Sequence, residues 1–108
     1  MPTYNKLVRD KIPGIIKTTG KRFRTRKLSE QEYIIELRRK LLEEIAEYEE
    51  AGTDEQALEE LADVMEVIKS LAEFHGSSID EIERIREMKY VERGGFREKV
   101  FLIDVSDE

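Results

Sequence analysis

Three times in this chain a hydroxyl residue is followed, three positions on, by Glu or Gln at the head of a run of helix-period apolar residues. The pairs are Ser29 with Glu32, Thr53 with Gln56, and Ser78 with Glu81. Each is a capping-box signature, in which the hydroxyl accepts from a free N–H of the first turn and the acid or amide reaches back. Each run also has a stop: Gly52, then His75-Gly76, then Gly94-Gly95. The spacing predicts helices from Ser29 to about Ala51, from Thr53 to about Phe74, and from Ser78 to just before Gly94. The first two make a tight hairpin around Gly52-Thr53, with the third beside it. An all-α fold follows.

Ahead of Ser29, residues 1–20 read as a turn-rich arm in which Pro13 opens a short helix, Gly14–Thr18, that stops at Gly20. Residues 21–28 (KRFRTRKL) alternate enough for a short strand, and 99–103 (KVFLI) suit a second. A minor two-stranded β element is therefore the one expected departure from helix. Neither a repeat nor a low-complexity linker divides residues 1–108, which make a single domain of ordinary size. The apolar stripes of the two long helices exceed what one hairpin and a third helix can cover. That predicts a four-helix-bundle-type core completed on oligomerisation, as a homodimer or homotetramer.

Charged residues are 41% of the chain, yet Leu, Ile, Val and Met recur at helical spacing, so the charge coats helices and does not signal disorder. A net charge of −6 argues against polymeric nucleic acid and anionic membranes as partners. The acidity is uneven: residues 1–27 carry nine Lys and Arg against Asp10 alone, while residues 28–87 are strongly acidic. A basic arm beside an acidic body suits a metal-bridged polyanion, and suits intramolecular charge balance equally. Cysteine is absent, which removes thiol chemistry and fits a cytoplasmic protein. The N-terminus has no signal-like apolar segment and no apolar run approaches a membrane span, so a soluble, non-exported chain is expected.

The chemistry-bearing residues are Glu43-Glu44-x-x-Glu47 on the first long helix and Glu60-x-x-Asp63 on the second. Spacing alone says little, because an acidic fraction this high yields about five or six i,i+3 acid pairs by chance, and six occur. Position says more. At 100° per residue Ile34, Leu37, Leu41, Ile45 and Tyr48 form one stripe, and Glu44 falls between Tyr33 and Leu37. Leu61, Val64, Met65, Ile68, Leu71 and Ala72 form the other, and Glu60 falls between Val67 and Leu71. Glu47 and Asp63 lie one turn along, at the stripe edges. A hairpin about Gly52-Thr53 sets Glu44 about one 1.5 Å rise from the level of Glu60. Clustered, partly desolvated carboxylates are costly, and no nearby lysine is placed to neutralise all four. A hard cation such as Mg²⁺ is the natural remedy. An ordinary solvated acidic face remains the other reading of the same residues.

At these positions the chain resembles the all-α NTP pyrophosphatase superfamily, which includes MazG, dimeric dUTPases and phosphoribosyl-ATP pyrophosphohydrolase. The family hallmark is E-E-x-x-E and then E-x-x-D, here Glu43 to Glu47, twelve intervening residues, and Glu60 to Asp63. The segments YNKLVRDKIP (Tyr4–Pro13) and ERGGF (Glu92–Phe96) are similar to a MazG-like bacterial and archaeal subgroup akin to phosphoribosyl-ATP pyrophosphohydrolases. The resemblance implies Glu44, Glu47, Glu60 and Asp63 as ligands of Mg²⁺, with Mn²⁺ as a substitute, and Glu43 as an accessory group. It implies hydrolysis of a nucleoside triphosphate between the α and β phosphates to a monophosphate and pyrophosphate, with Glu44 as a proton acceptor. Clearance of surplus or non-standard nucleotides is the role it suggests. Phosphoribosyl-ATP hydrolysis is a variant within that class, and a non-enzymatic dimerisation module with an acidic partner-binding face is the rival outside it.

Lys6, Arg9 and Lys11 offer charge-assisted donors to phosphates, or pair with the acidic body. Lys89 and Arg93, by the Gly94-Gly95 turn, are further candidates for the substrate; the plainer reading of that turn is a helix end with a buried Phe96. His75 suits a helix C-terminus better than a metal. Tyr33, Tyr48 and Phe74 are expected in the core.

Overall fold

Hydroxyl caps begin the three longer helices of the computed structural model, which describes residues 2–107. Helix α1 is Ile12–Thr18, α2 Glu30–Glu49, α3 Asp54–Phe74 and α4 Ile79–Arg93. Ser29, Thr53 and Ser78 each accept from the backbone N–H three residues on, as the spacing requires. Only Ser29 has the full reciprocal box, with Glu32 returning to its N–H. The Gln56 side chain accepts instead from the Gly52 N–H at 3.1 Å, and Glu81 takes Arg84. One glycine sets a stop unambiguously. Gly76 sits at φ +76° while the Ser77 N–H reaches the Ala72 carbonyl and its own N–H reaches Glu73, the double bond that closes α3.

The expected all-α architecture holds, with two boundary corrections. Helix α2 ends at Glu49, short of Ala51, and α1 begins at Ile12, so that Pro13 falls inside its first turn. Among the described residues there is no strand: 21–28 and 99–103 lie outside regular structure and do not pair. A lone two-stranded ladder is marginal in water, and the first segment crowds Lys21, Arg22, Arg24, Arg26 and Lys27 together, with Arg26 drawn off to Glu32 at 2.8 Å.

Helices α2 and α3 make the main helix packing, and α4 makes a smaller contact with α3. The hairpin seam uses one edge of each stripe. Leu37, Val67 and Ala72 are buried, and Ile34, Leu41, Val64, Ile68 and Leu71 half-buried. The other edges, Leu42 and Ile45 on α2 and Leu58, Leu61 and Met65 on α3, remain exposed. Tyr33 and Phe74 meet edge-on at the far end of the seam, and the His75 ring stands against Phe74 at the α3 C-cap. Tyr48 is exposed, contrary to its expected core position, because it lies beyond the covered edge. Phe96 is 98% exposed and is not a buried cap residue. A radius of gyration of 18.6 Å, against about 13 Å for a compact chain of this length, describes an elongated chain. No helix among the described residues is long and apolar enough to cross a membrane.

Candidate metal centre

Glu44 and Glu60 reach each other because their angular positions put them in the seam and the short link 50–53 fixes the register. Glu44 is 7% exposed, the one buried charged residue among the described residues, and Glu60 is half-buried. With Glu47, one turn beyond Glu44, each offers an oxygen within 4.8 Å of the others. Glu44 Oε2 and Glu60 Oε2 are both buried and meet no donor. Desolvation raises the pKa of both carboxyls, and Glu47 and Asp63 raise them further as neighbouring negative charges.

Two of the three neighbouring cations fall on the flanking acids. Lys6 Nζ lies 3.3 Å from Glu43 Oε1, and Arg9 Nη2 lies 2.7 Å from Asp63 Oδ1. Lys40 Nζ stands 3.5 Å from both Glu43 Oε1 and Glu44 Oε1. Of the four acids expected as ligands Lys40 meets Glu44 alone, in keeping with the expectation that no nearby lysine neutralises them all. The Lys40-to-Glu44 spacing is the i,i+4 pairing of a helix face and was legible as such. Neutralisation is still incomplete. Five carboxylates (Glu43, Glu44, Glu47, Glu60, Asp63) meet three cationic side chains (Lys6, Arg9, Lys40), a formal balance of −2. Among the described residues, neither Glu47 nor Glu60 has an ion-pair partner.

Three of the four acids expected as ligands, Glu44, Glu47 and Glu60, bring their oxygens together, whereas Asp63 stands outside the set of mutually close oxygens, as does Glu43. Lys11 is the N-cap of α1, and Lys89 and Arg93 are exposed on α4. No hydrogen bond or ion pair joins these three to the carboxylates among the described residues.

The donor set fits a small hard cation. It is all oxygen, it holds two orphaned buried acceptors, and it sits among five carboxylates and three cations whose formal −2 equals the charge of one divalent ion. Six-coordinate Mg²⁺ takes a few protein carboxylates and leaves positions for water and phosphate oxygens. Comparison with protein-family models, with curated proteins and with solved structures finds no match to this chain.

Proposed function

We propose that the chain is an Mg²⁺-dependent nucleoside-triphosphate pyrophosphohydrolase of the all-α NTP pyrophosphatase type, cleaving between the α and β phosphates. The observation that carries this reading is the pair of buried, donor-less oxygens, Glu44 Oε2 and Glu60 Oε2, in one cluster with Glu47. Burial of Glu44 speaks against the rival reading as an acidic docking face, which needs its acids outward.

Glu44, Glu47 and Glu60 would hold the ion, with Asp63 as the fourth carboxylate. When bound, the ion offsets charge on the phosphates and leaving group and makes water a better nucleophile. Glu43, the accessory acid, has one oxygen shared between Lys6 and Lys40, whereas Glu44 Oε2 meets no donor. Glu44 is therefore the better acceptor of the proton from the attacking water. Water adds across the anhydride, and the products are nucleoside monophosphate and pyrophosphate. Lys6 and Arg9 flank the cluster on Glu43 and Asp63 and offer charge-assisted donors to phosphate oxygens. The exposed edges of α2 and α3 supply the interface of a homodimer or homotetramer.

The test is a screen of NTPs and dNTPs in millimolar Mg²⁺, scored for pyrophosphate against orthophosphate. Pyrophosphate release abolished by EDTA and by Glu60→Gln supports the reading. Orthophosphate with a nucleoside diphosphate, or turnover indifferent to chelation, overturns it.

A further inference from the structure

The basic arm does not touch the three clustered carboxylates; it grips the two motif acids that flank them. Lys6 holds Glu43 from one side and Arg9 holds Asp63 from the other. Both contacts are exposed, with side-chain accessibilities of 43% and 32% for the first and 57% and 41% for the second. Helix α1, which follows the arm, packs on no other helix. Two solvated ion pairs, either side of the half-buried Leu7, therefore join residues 6–9 to the rim of the site, and such pairs are weak and salt-sensitive.

Asp63 lies one turn beyond Glu60 on the same face of α3, within electrostatic range of both Glu44 and Glu60. Yet its oxygens fall outside the cluster. The bond to Arg9 explains this, since one carboxylate oxygen is committed 2.7 Å from a guanidinium. A compact divalent ion among Glu44, Glu47 and Glu60 attracts Asp63 with twice the charge of Arg9 and repels Arg9 itself.

We infer, resting on the metal-site reading above, that Arg9 is an exchangeable counter-ion. It holds Asp63 out of the coordination set until a divalent cation engages, and then passes to a phosphate of the polyphosphate substrate. A guanidinium suits the exchange, because its planar fork matches a carboxylate and a phosphate in the same geometry. The arm thus already lies across the site, and Arg9 turns from Asp63 to the nucleotide only once the metal is in place, which couples the order of binding to chemistry.

The test compares wild type, Arg9→Gln, and Lys17→Gln as a basic-arm control, each titrated with Mn²⁺ without nucleotide by electron paramagnetic resonance. Removal of the competitor should tighten Mn²⁺ in Arg9→Gln by about fivefold, the ratio corresponding to one exposed ion pair. Lys17→Gln should match wild type. At saturating Mn²⁺, Arg9→Gln should bind a non-hydrolysable triphosphate about tenfold more weakly, the loss of one charge-assisted contact. Weaker Mn²⁺ binding by Arg9→Gln overturns the exchange, because Arg9 then orients Asp63 as a ligand and stays with it. Equal Mn²⁺ affinity overturns it too, leaving an ordinary surface pair. Wild type that binds no Mn²⁺ overturns the metal reading itself, a different failure from either.

Discussion

Replacing Glu44 by Gln keeps the shape of the side chain and removes one charge from the seam. Two opposing effects decide the outcome. Glu47 and Glu60 place oxygens within 4.8 Å of Glu44, and each such repulsion is at least about 3.5 kcal/mol at an effective dielectric of 20. Lys40 at 3.5 Å is an attraction of about 4.7 kcal/mol on the same footing. Removing the charge relieves the first two and forfeits the third, a net gain of about 2 kcal/mol. Salt and the exposure of Glu47 reduce this to about 1 kcal/mol. In EDTA the variant should therefore melt about 4 °C or more above wild type. Saturating Mg²⁺ should reverse the order. Wild type gains RT ln(1 + [L]/Kd), about 2.7 kcal/mol at a hundredfold excess over Kd, and the variant, lacking a ligand, gains far less. Calorimetric melts of both proteins in EDTA and in Mg²⁺ give four numbers whose order is fixed in advance. Glu44→Gln melting below wild type in EDTA refutes the repulsion argument. Equal upward shifts with Mg²⁺ in the two proteins remove Glu44 from the metal site.

The metal-free pH dependence has a definite sign. The pKa of Glu44 and Glu60 is raised in the fold, so the native state holds protons that the unfolded chain has released, and stability falls as pH rises above the ordinary carboxylate range. Glu32, held down at about 2 by Arg26 and the Ser29 N–H, acts oppositely and is lost only on strong acidification. The advantage of Glu60→Gln over wild type in EDTA should accordingly widen from pH ~4 to pH ~7, and an advantage that narrows contradicts the assignment. Leu37, 3% exposed at the centre of the seam, should cost about 2–4 kcal/mol as Leu37→Ala in urea denaturation. At micromolar concentration, light scattering should report at least a dimer, and Leu58→Asp on the exposed edge of α3 should shift the mass toward monomer; a well-folded wild-type monomer refutes the assembly.

Helix starts were readable because a hydroxyl cap and its partner sit within one turn, so the physics is local: Ser29, Thr53 and Ser78 needed nothing from the rest of the chain. Register was readable for the same reason. A short link and a fixed helical angle put Glu44 beside Glu60, and both were visible as acids interrupting apolar stripes. What escaped was long-range. The pairing of Arg9 with Asp63 spans residues far apart in sequence, and nothing local prefers that acid to its neighbours. Tyr48 escaped because periodicity gives the width of a stripe and not which edge of it the partner helix covers. The two expected strands failed because β pairing is a property of two segments, and composition in each, however suitable, does not bring them together.

The link between α2 and α3 also limits how such a chain can change length. Glu47 and Glu60 face one another across a hairpin whose two arms advance 100° per residue, so inserting or deleting one residue inside either helix between them swings every later side chain off the seam. Insertions harmless to the cluster fall into two kinds. They lengthen the loop 50–53 without disturbing its ends, or they add about seven residues, one turn to each arm. The twelve-residue interval between the two acidic motifs is thus a gear ratio, and chains that keep this cluster on a longer hairpin should carry intervals stepped by about seven.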